Sequence, residues 1–236
     1  EFIMIDRNFS TTAKSQAQVD VGLREYMLKV YNYMATGLAL TGLTAWLVAG
    51  NKTLVETIFE TPLFFVVALA PLGFVFYLSA RLHRISFSKA QTLFWLFAGI
   101  MGLSMASIFL KYTPVSIAKV FFITSGTFAG MSLYGYTTKK DLTGWGSFLF
   151  MGLIGIIIAS IVNIFLKSPM LFYVVSWIGV LVFVGLTAYD TQRIKEMYYA
   201  ADTVEISGKK AIMGALKLYL DFINLFIMLL HLFGQR

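Results

Sequence analysis

Cysteine is absent from the 236 residues, which excludes disulfides, thiolate metal sites and cysteine nucleophiles. Imidazole is nearly as scarce: His83 and His231 lie far apart in sequence and argue against a zinc site. Charge is low as well. Only 13% of residues are charged whereas 58% are hydrophobic, a balance far from that of a soluble globular domain, so the chain reads as an all-α integral membrane protein. Spans of about 20 residues and short loops would use up nearly the whole length, leaving no room for a soluble catalytic domain. A cleavable signal peptide is not expected, because the first apolar run follows a long polar arm. The net charge of +7 points here to basic loops at one membrane face, not to nucleic acid. Membrane lipid is the one partner composition implies; no cofactor is expected.

One domain preceded by a polar arm follows. Residues 1–29 form a polar arm, disordered at first, whose last part (Val21, Leu23, Tyr26, Met27, Val30) has the spacing of an interfacial amphipathic helix. Residues 30–236 form a transmembrane domain with seven expected spans: 30–50, 62–80, 90–110, 115–136, 145–166, 170–189 and 211–233. Pro71 should kink the second span. Residues 190–210 read as the longest internal loop. Small residues at Gly126 and Gly130, and again at Gly152, Gly155 and Ala159, suit close helix approach. With seven spans, thirteen basic residues fall on the face shared by the arm and loops two, four and six, and five on the other. An even count would scramble that asymmetry, which therefore favours seven spans and a cytoplasmic amino terminus.

Against this apolar background two carboxylates stand out. Asp190 closes the sixth run in Gly185-Leu-Thr-Ala-Tyr-Asp-Thr-Gln192, and Asp221 stands inside the last run, in Leu218-Tyr-Leu-Asp-Phe-Ile-Asn-Leu-Phe226. An ionised side chain at the centre of a membrane helix costs about 2.5–3.5 kcal/mol on insertion scales, so such residues usually face a partner or a water-filled path. Lys217, Asp221, Asn224, Met228 and His231 follow steps of four and three, hence one helical stripe, which places the last helix inside the bundle with its polar face toward Asp190. The competing readings are a local Lys217–Asp221 pair and, for Asp190, a solvated carboxylate just past a helix end. If the helix ends converge, the two carboxylates cannot both ionise cheaply and protonation becomes a switch. A shared proton ties the two helices, whereas full ionisation repels them and attracts cations such as calcium. Arg81, on the same face, is a candidate third member or an ordinary interfacial anchor.

The stretches Phe183-Val-Gly-Leu-Thr-Ala-Tyr-Asp-Thr-Gln192, Leu218-Tyr-Leu-Asp-Phe-Ile-Asn-Leu-Phe226 and Met131-Ser-Leu-Tyr-Gly-Tyr-Thr-Thr-Lys-Lys-Asp-Leu142 resemble the Bax inhibitor 1 family of transmembrane proteins, most closely its bacterial inner-membrane members. That resemblance implies seven transmembrane helices with a central carboxy-terminal helix, a multi-pass inner-membrane location, and a pH-sensitive calcium leak without enzymatic activity. By motif the paired aspartates of the sensor fall on Asp190 and Asp221, which would also hold calcium in transit. A latching arginine falls near Arg81, with Arg84 as competitor. Lys217 departs from the family's pattern, in which a small or hydroxyl residue is commoner, and would tune cation affinity or the switching pH.

Two other functions compete. Intramembrane aspartyl proteolysis also needs two aspartates on neighbouring helices, and Tyr189-Asp190 fits half of its pattern, but Leu218-Tyr219-Leu220 lacks the glycine such proteases place before the second aspartate. Serine proteolysis fits less well, since Ser125-Gly126 stands without its surrounding motif. A non-conducting interaction protein, acting in cell survival or membrane quality control through unknown membrane-protein partners, would use the polar stripe for packing alone.

Overall fold

The computed structural model describes residues 2–235, with side chains from Asp20 onward. Within them the chain forms α1 (Phe2–Ala49), α2 (Lys52–Phe59), α3 (Leu63–Arg81), a single 3-10 turn (Leu82–Arg84), α4 (Phe87–Lys111), α5 (Pro114–Thr137), α6 (Thr143–Leu166), α7 (Pro169–Glu196) and α8 (Val204–Phe233). Local chemistry sets most of the helix starts. Side-chain oxygens of Asn51, Ser86, Thr113, Ser168 and Thr203 each accept a hydrogen bond from the backbone N–H three residues on. Pro114 and Pro169 follow two of these caps at the first helical position, where a missing N–H costs nothing. Between α6 and α7, Lys167 takes the left-handed conformation (φ 50°) that lets the chain reverse.

Six helices, from Leu63–Arg84 to Val204–Phe233, are each long and apolar enough to cross a membrane. Asp20–Ala49 meets that requirement only together with α2, from which it is bent by 100°. The chain is thus an all-α integral membrane protein with six to seven such helices, and the expected first span does not stand alone. Asn32, Thr36, Thr41 and Thr44 dilute its apolar character, and the chain beyond Gly50 turns sharply into α2 instead of forming a simple polar loop. Helix runs without a break through the boundary at residues 29 and 30, so the amphipathic end of the arm and the first apolar run are one element. Helix α3 is likewise continuous through the buried Pro71.

The expected loop over residues 190–210 is the largest correction. Helix α7 continues to Glu196 and α8 begins at Val204, leaving only residues 197–203 between them. Thr187, Thr191 and Ile194 are fully buried and continue the helical spacing past Asp190, so the polar run 190–196 has a face to pack.

Burial is distributed unevenly among the spans. Two thirds of the apolar stretch of α8 is buried, against about a tenth in α6. Helix α8 packs chiefly on α1, α4, α5 and α7; α6 packs mainly on α7, and α3 mainly on α4. The side chains of Phe150, Ile158 and Phe165 on α6 therefore face outward, as expected for a surface solvated by lipid. In the interior, Tyr219 of α8 stacks edge-on against Phe97 at 5.1 Å and shares a 2.6 Å hydrogen bond with Thr41 of α1. Thr41 also donates to the Ala98 carbonyl at 2.8 Å, so one hydroxyl joins α1, α4 and α8. Gly102 allows this crossing, since a Cβ there would lie 2.6 Å from Thr44 Cβ.

The small-residue motifs do not all serve packing. A Cβ added at Gly126, Gly130 or Gly155 would meet nothing, whereas one at Gly152 would meet Val182 at 2.9 Å. Tighter approaches occur elsewhere: a Cβ on Gly135 of α5 would run into the backbone carbonyl of Ala188 on α7, and one on Gly146 of α6 into the Tyr189 ring. Both contacts flank Asp190. Gly135→Ala is therefore expected to cost about 1–3 kcal/mol through overpacking. Gly126→Ala should be neutral or stabilise by up to about 1 kcal/mol through helix propensity. Thermal unfolding of the two purified variants in one detergent checks this contrast.

Candidate functional site

The carboxylate of Asp221 projects from the middle of α8 and is 5% exposed. Its neighbours on that helix, Leu218, Tyr219, Phe222 and Leu225, are packed in the core, so the polar groups that answer it come from α7 and from the next turn of α8. Asp190, on α7, is near enough to Asp221 for the two carboxyl groups to interact electrostatically. Lys217 Nζ lies 3.5 Å from Asp190 Oδ1, with 44% of the lysine side chain and 14% of the aspartate side chain exposed. The ammonium thus crosses to α7, where a local Lys217–Asp221 pair was the alternative, while still lying within electrostatic range of Asp221. Asp221 Oδ2 is buried and, among the described residues, has no hydrogen-bond donor. A buried acceptor in this condition is costly. A proton on either carboxyl lets it donate to the other, and the set Asp190, Asp221, Lys217 plus one proton carries no net charge.

Met228 and His231 of the α8 stripe also face α7. Met228 packs where Gly179 has no side chain, and His231 lies 3.5 Å from Ser176 Oγ with its ring 4.6 Å from that of Phe172. Asn224 turns back to donate to the Leu220 carbonyl at 2.8 Å. The seam from Lys217 to His231 is therefore polar at both ends, and about 21 Å long at 1.5 Å per residue.

Several contributors are absent from the sequence reading. Thr191 donates to the Thr187 carbonyl at 2.7 Å, which leaves its oxygen to accept from Ser132 at 2.9 Å, and Ser132 in turn accepts from Tyr31 at 2.6 Å. This relay ties α1, α5 and α7 together beside Asp190. Gln192 clamps the α5–α6 turn by donating to the Lys140 carbonyl and accepting from the Leu142 N–H, both at 2.8 Å. Lys195 donates to the Tyr136 carbonyl at 2.9 Å. The available signal was the same as for the aspartates: polar side chains at helical spacing inside or beside apolar runs.

Arg81 is exposed at the end of α3 and, among the described residues, pairs with neither aspartate. Arg84 is exposed one turn on. Among the described residues no three His, Asp or Glu side chains cluster as metal ligands.

Comparison with known proteins gives the geometry a family. The family model described as "Inhibitor of apoptosis-promoting Bax1" matches residues 23–236. The Inner membrane protein YbhL of Escherichia coli (strain K12) is 49% identical over 225 residues, covering 94% of this chain and 96% of that protein. An uncharacterized protein, RP147, of Rickettsia prowazekii (strain Madrid E) is 49% identical over 235 residues, covering 99% of each chain. An uncharacterized protein of Caulobacter vibrioides is 45% identical over 236 residues, covering 94% and 92%. With a family match running from α1 to the carboxy terminus and relatives aligned over nearly their whole length, the chain belongs to the Bax inhibitor-1 family, a family of polytopic membrane proteins with bacterial inner-membrane members.

Proposed function

We propose that this protein is a pH-sensitive cation leak pathway, with calcium as the transported ion, in a bacterial inner membrane. It crosses that membrane seven times, counting α1 and α2 as one broken span, with its amino terminus in the cytoplasm and α8 at the centre of the bundle. Asp190 and Asp221 form the sensor and offer transient carboxylate contacts to the ion. The observation that carries this reading is the meeting of two carboxylates and one ammonium at the α7–α8 seam, with one carboxylate oxygen lacking a donor among the described residues. We assign the latch to Lys217, with Arg81 an anchor at the end of α3. Two carboxylates alone are a poor resident calcium site, since that ion takes six to eight oxygens, but they suit an ion that passes. Family kinship and the inner-membrane designation of the Escherichia coli relative support the membrane location.

Gating follows from charge. With one shared proton the two carboxyls are bridged and Lys217 balances the remaining charge. Losing that proton sets two anions against each other; adding a second removes the anion that holds Lys217. Either change loosens α7 from α8. Over about pH 5 to pH 8, where one of these two proton steps is expected to fall, calcium entry into dye-loaded proteoliposomes should vary sigmoidally, and Asp190→Asn and Asp221→Asn should each flatten the curve. Absence of calcium entry above that of empty liposomes at every pH would reject conduction and favour a non-conducting interaction protein.

Lys217 supplies a second test whose sign does not depend on which proton gates. Removing a cation makes every protonation of the pair easier. In Lys217→Met the midpoint of the pH profile should therefore move to higher pH, by about one unit or more, as measured in the same flux assay.

A further inference from the structure

An open groove of about 510 Å³ runs between α1 and α5. Its walls pair antiparallel positions, Arg24 with Tyr136 at one end and Ala35 with Phe128 at the other, and Tyr31 and Ser132 meet across it. From Arg24 to Ala35 is eleven helical residues, or about 16 Å at 1.5 Å per residue. That is the depth of one leaflet, half of a hydrocarbon core about 30 Å thick. The lining is apolar except for the two bridging hydroxyls, Tyr136 and Arg24; no acidic side chain contributes. Arg24 is exposed and among the described residues makes no hydrogen bond or ion pair. A second cation stands at the same end: Lys195 Nζ donates to the Tyr136 carbonyl and lies 5.2 Å from its ring.

We propose that this groove is a binding site for one anionic glycerophospholipid of the leaflet on the Arg24 side. The acyl chain lies along the groove and the headgroup phosphate meets Arg24. Length decides for a lipid over a water-soluble anion: a phosphate alone would leave a leaflet-deep apolar trench unfilled. Charge decides for an anionic headgroup over a zwitterionic one, since two cations stand at the mouth and no carboxylate lines the groove. The floor of the groove includes the Tyr31–Ser132–Thr191 relay, so a bound chain also shields those hydrogen bonds from competing water.

The test is native mass spectrometry of the full chain released from detergent after titration with dioleoyl phosphatidylglycerol or dioleoyl phosphatidylethanolamine. The natural protein should retain one phosphatidylglycerol more strongly than phosphatidylethanolamine, and glycerol 3-phosphate should not displace it. Arg24→Gln should weaken retention about five-fold, the worth of one basic residue at a membrane surface, and Arg24→Lys should restore most of it. Ala129→Phe, which fills the groove from an exposed position on α5, should abolish retention without touching any charge. Equal retention in the natural protein, Arg24→Gln and Ala129→Phe would overturn the proposal. So would equal retention of the two lipids, or displacement by glycerol 3-phosphate.

Discussion

A carboxylate cannot sit in the middle of an apolar helix unless a neighbouring element answers it, and the arrangement around α8 follows from that constraint. Asp221 is flanked on α8 by residues that are packed in the core, so its partners have to come across the seam from α7 or from the exposed turn that carries Lys217. Bringing Asp190 to that position requires α7 to remain helical for two turns beyond its apolar run. It also requires α7 and α8 to lie close enough for Gly179 to admit Met228.

The extension of α7 is in turn held by groups outside the seam. Thr191 joins a hydroxyl relay to α5 and α1, Gln192 grips the turn between α5 and α6, and Ile194 is fully buried. In a lipid environment packing alone does not discriminate strongly between helix partners, because the acyl chains are as apolar as the side chains they replace. Hydrogen bonds between hydroxyls and amides, together with glycine contacts such as Gly135 on Ala188, supply that discrimination. They converge on the α7 segment that carries Asp190. Support for the position of Asp190 and support for the bundle are thus largely the same set of contacts.

Periphery and interior divide by the same rule. Helix α6 packs mainly on α7 and turns large apolar side chains outward, whereas α8 is surrounded by other helices and is mostly buried. The open seam between α1 and α5 lies between these extremes, bridged by Tyr31 and Ser132 but lined elsewhere by apolar side chains that lipid can cover.

Hydropathy and spacing determined the all-helical membrane class, most of the span positions and the polar stripe of α8, because each of these is a property of consecutive residues on one helix. The two aspartates were legible for the same reason: a charge inside an apolar run is conspicuous wherever the helix ends up. Other features depended on a second helix. The run 190–196 looks like loop until Thr191, Gln192 and Ile194 are given partners on α5, in the α5–α6 turn and in the core. Gly126 and Gly135 are indistinguishable as letters, and only the crossing of α5 with α7 leaves one facing open space and the other a carbonyl. Lys217 could reach Asp221 along its own helix or Asp190 across the seam, and tertiary packing decided for the latter because it set Asp190 3.5 Å from the ammonium. Local pattern determines which face of a helix is polar; which partner that face meets is decided only when the helices pack.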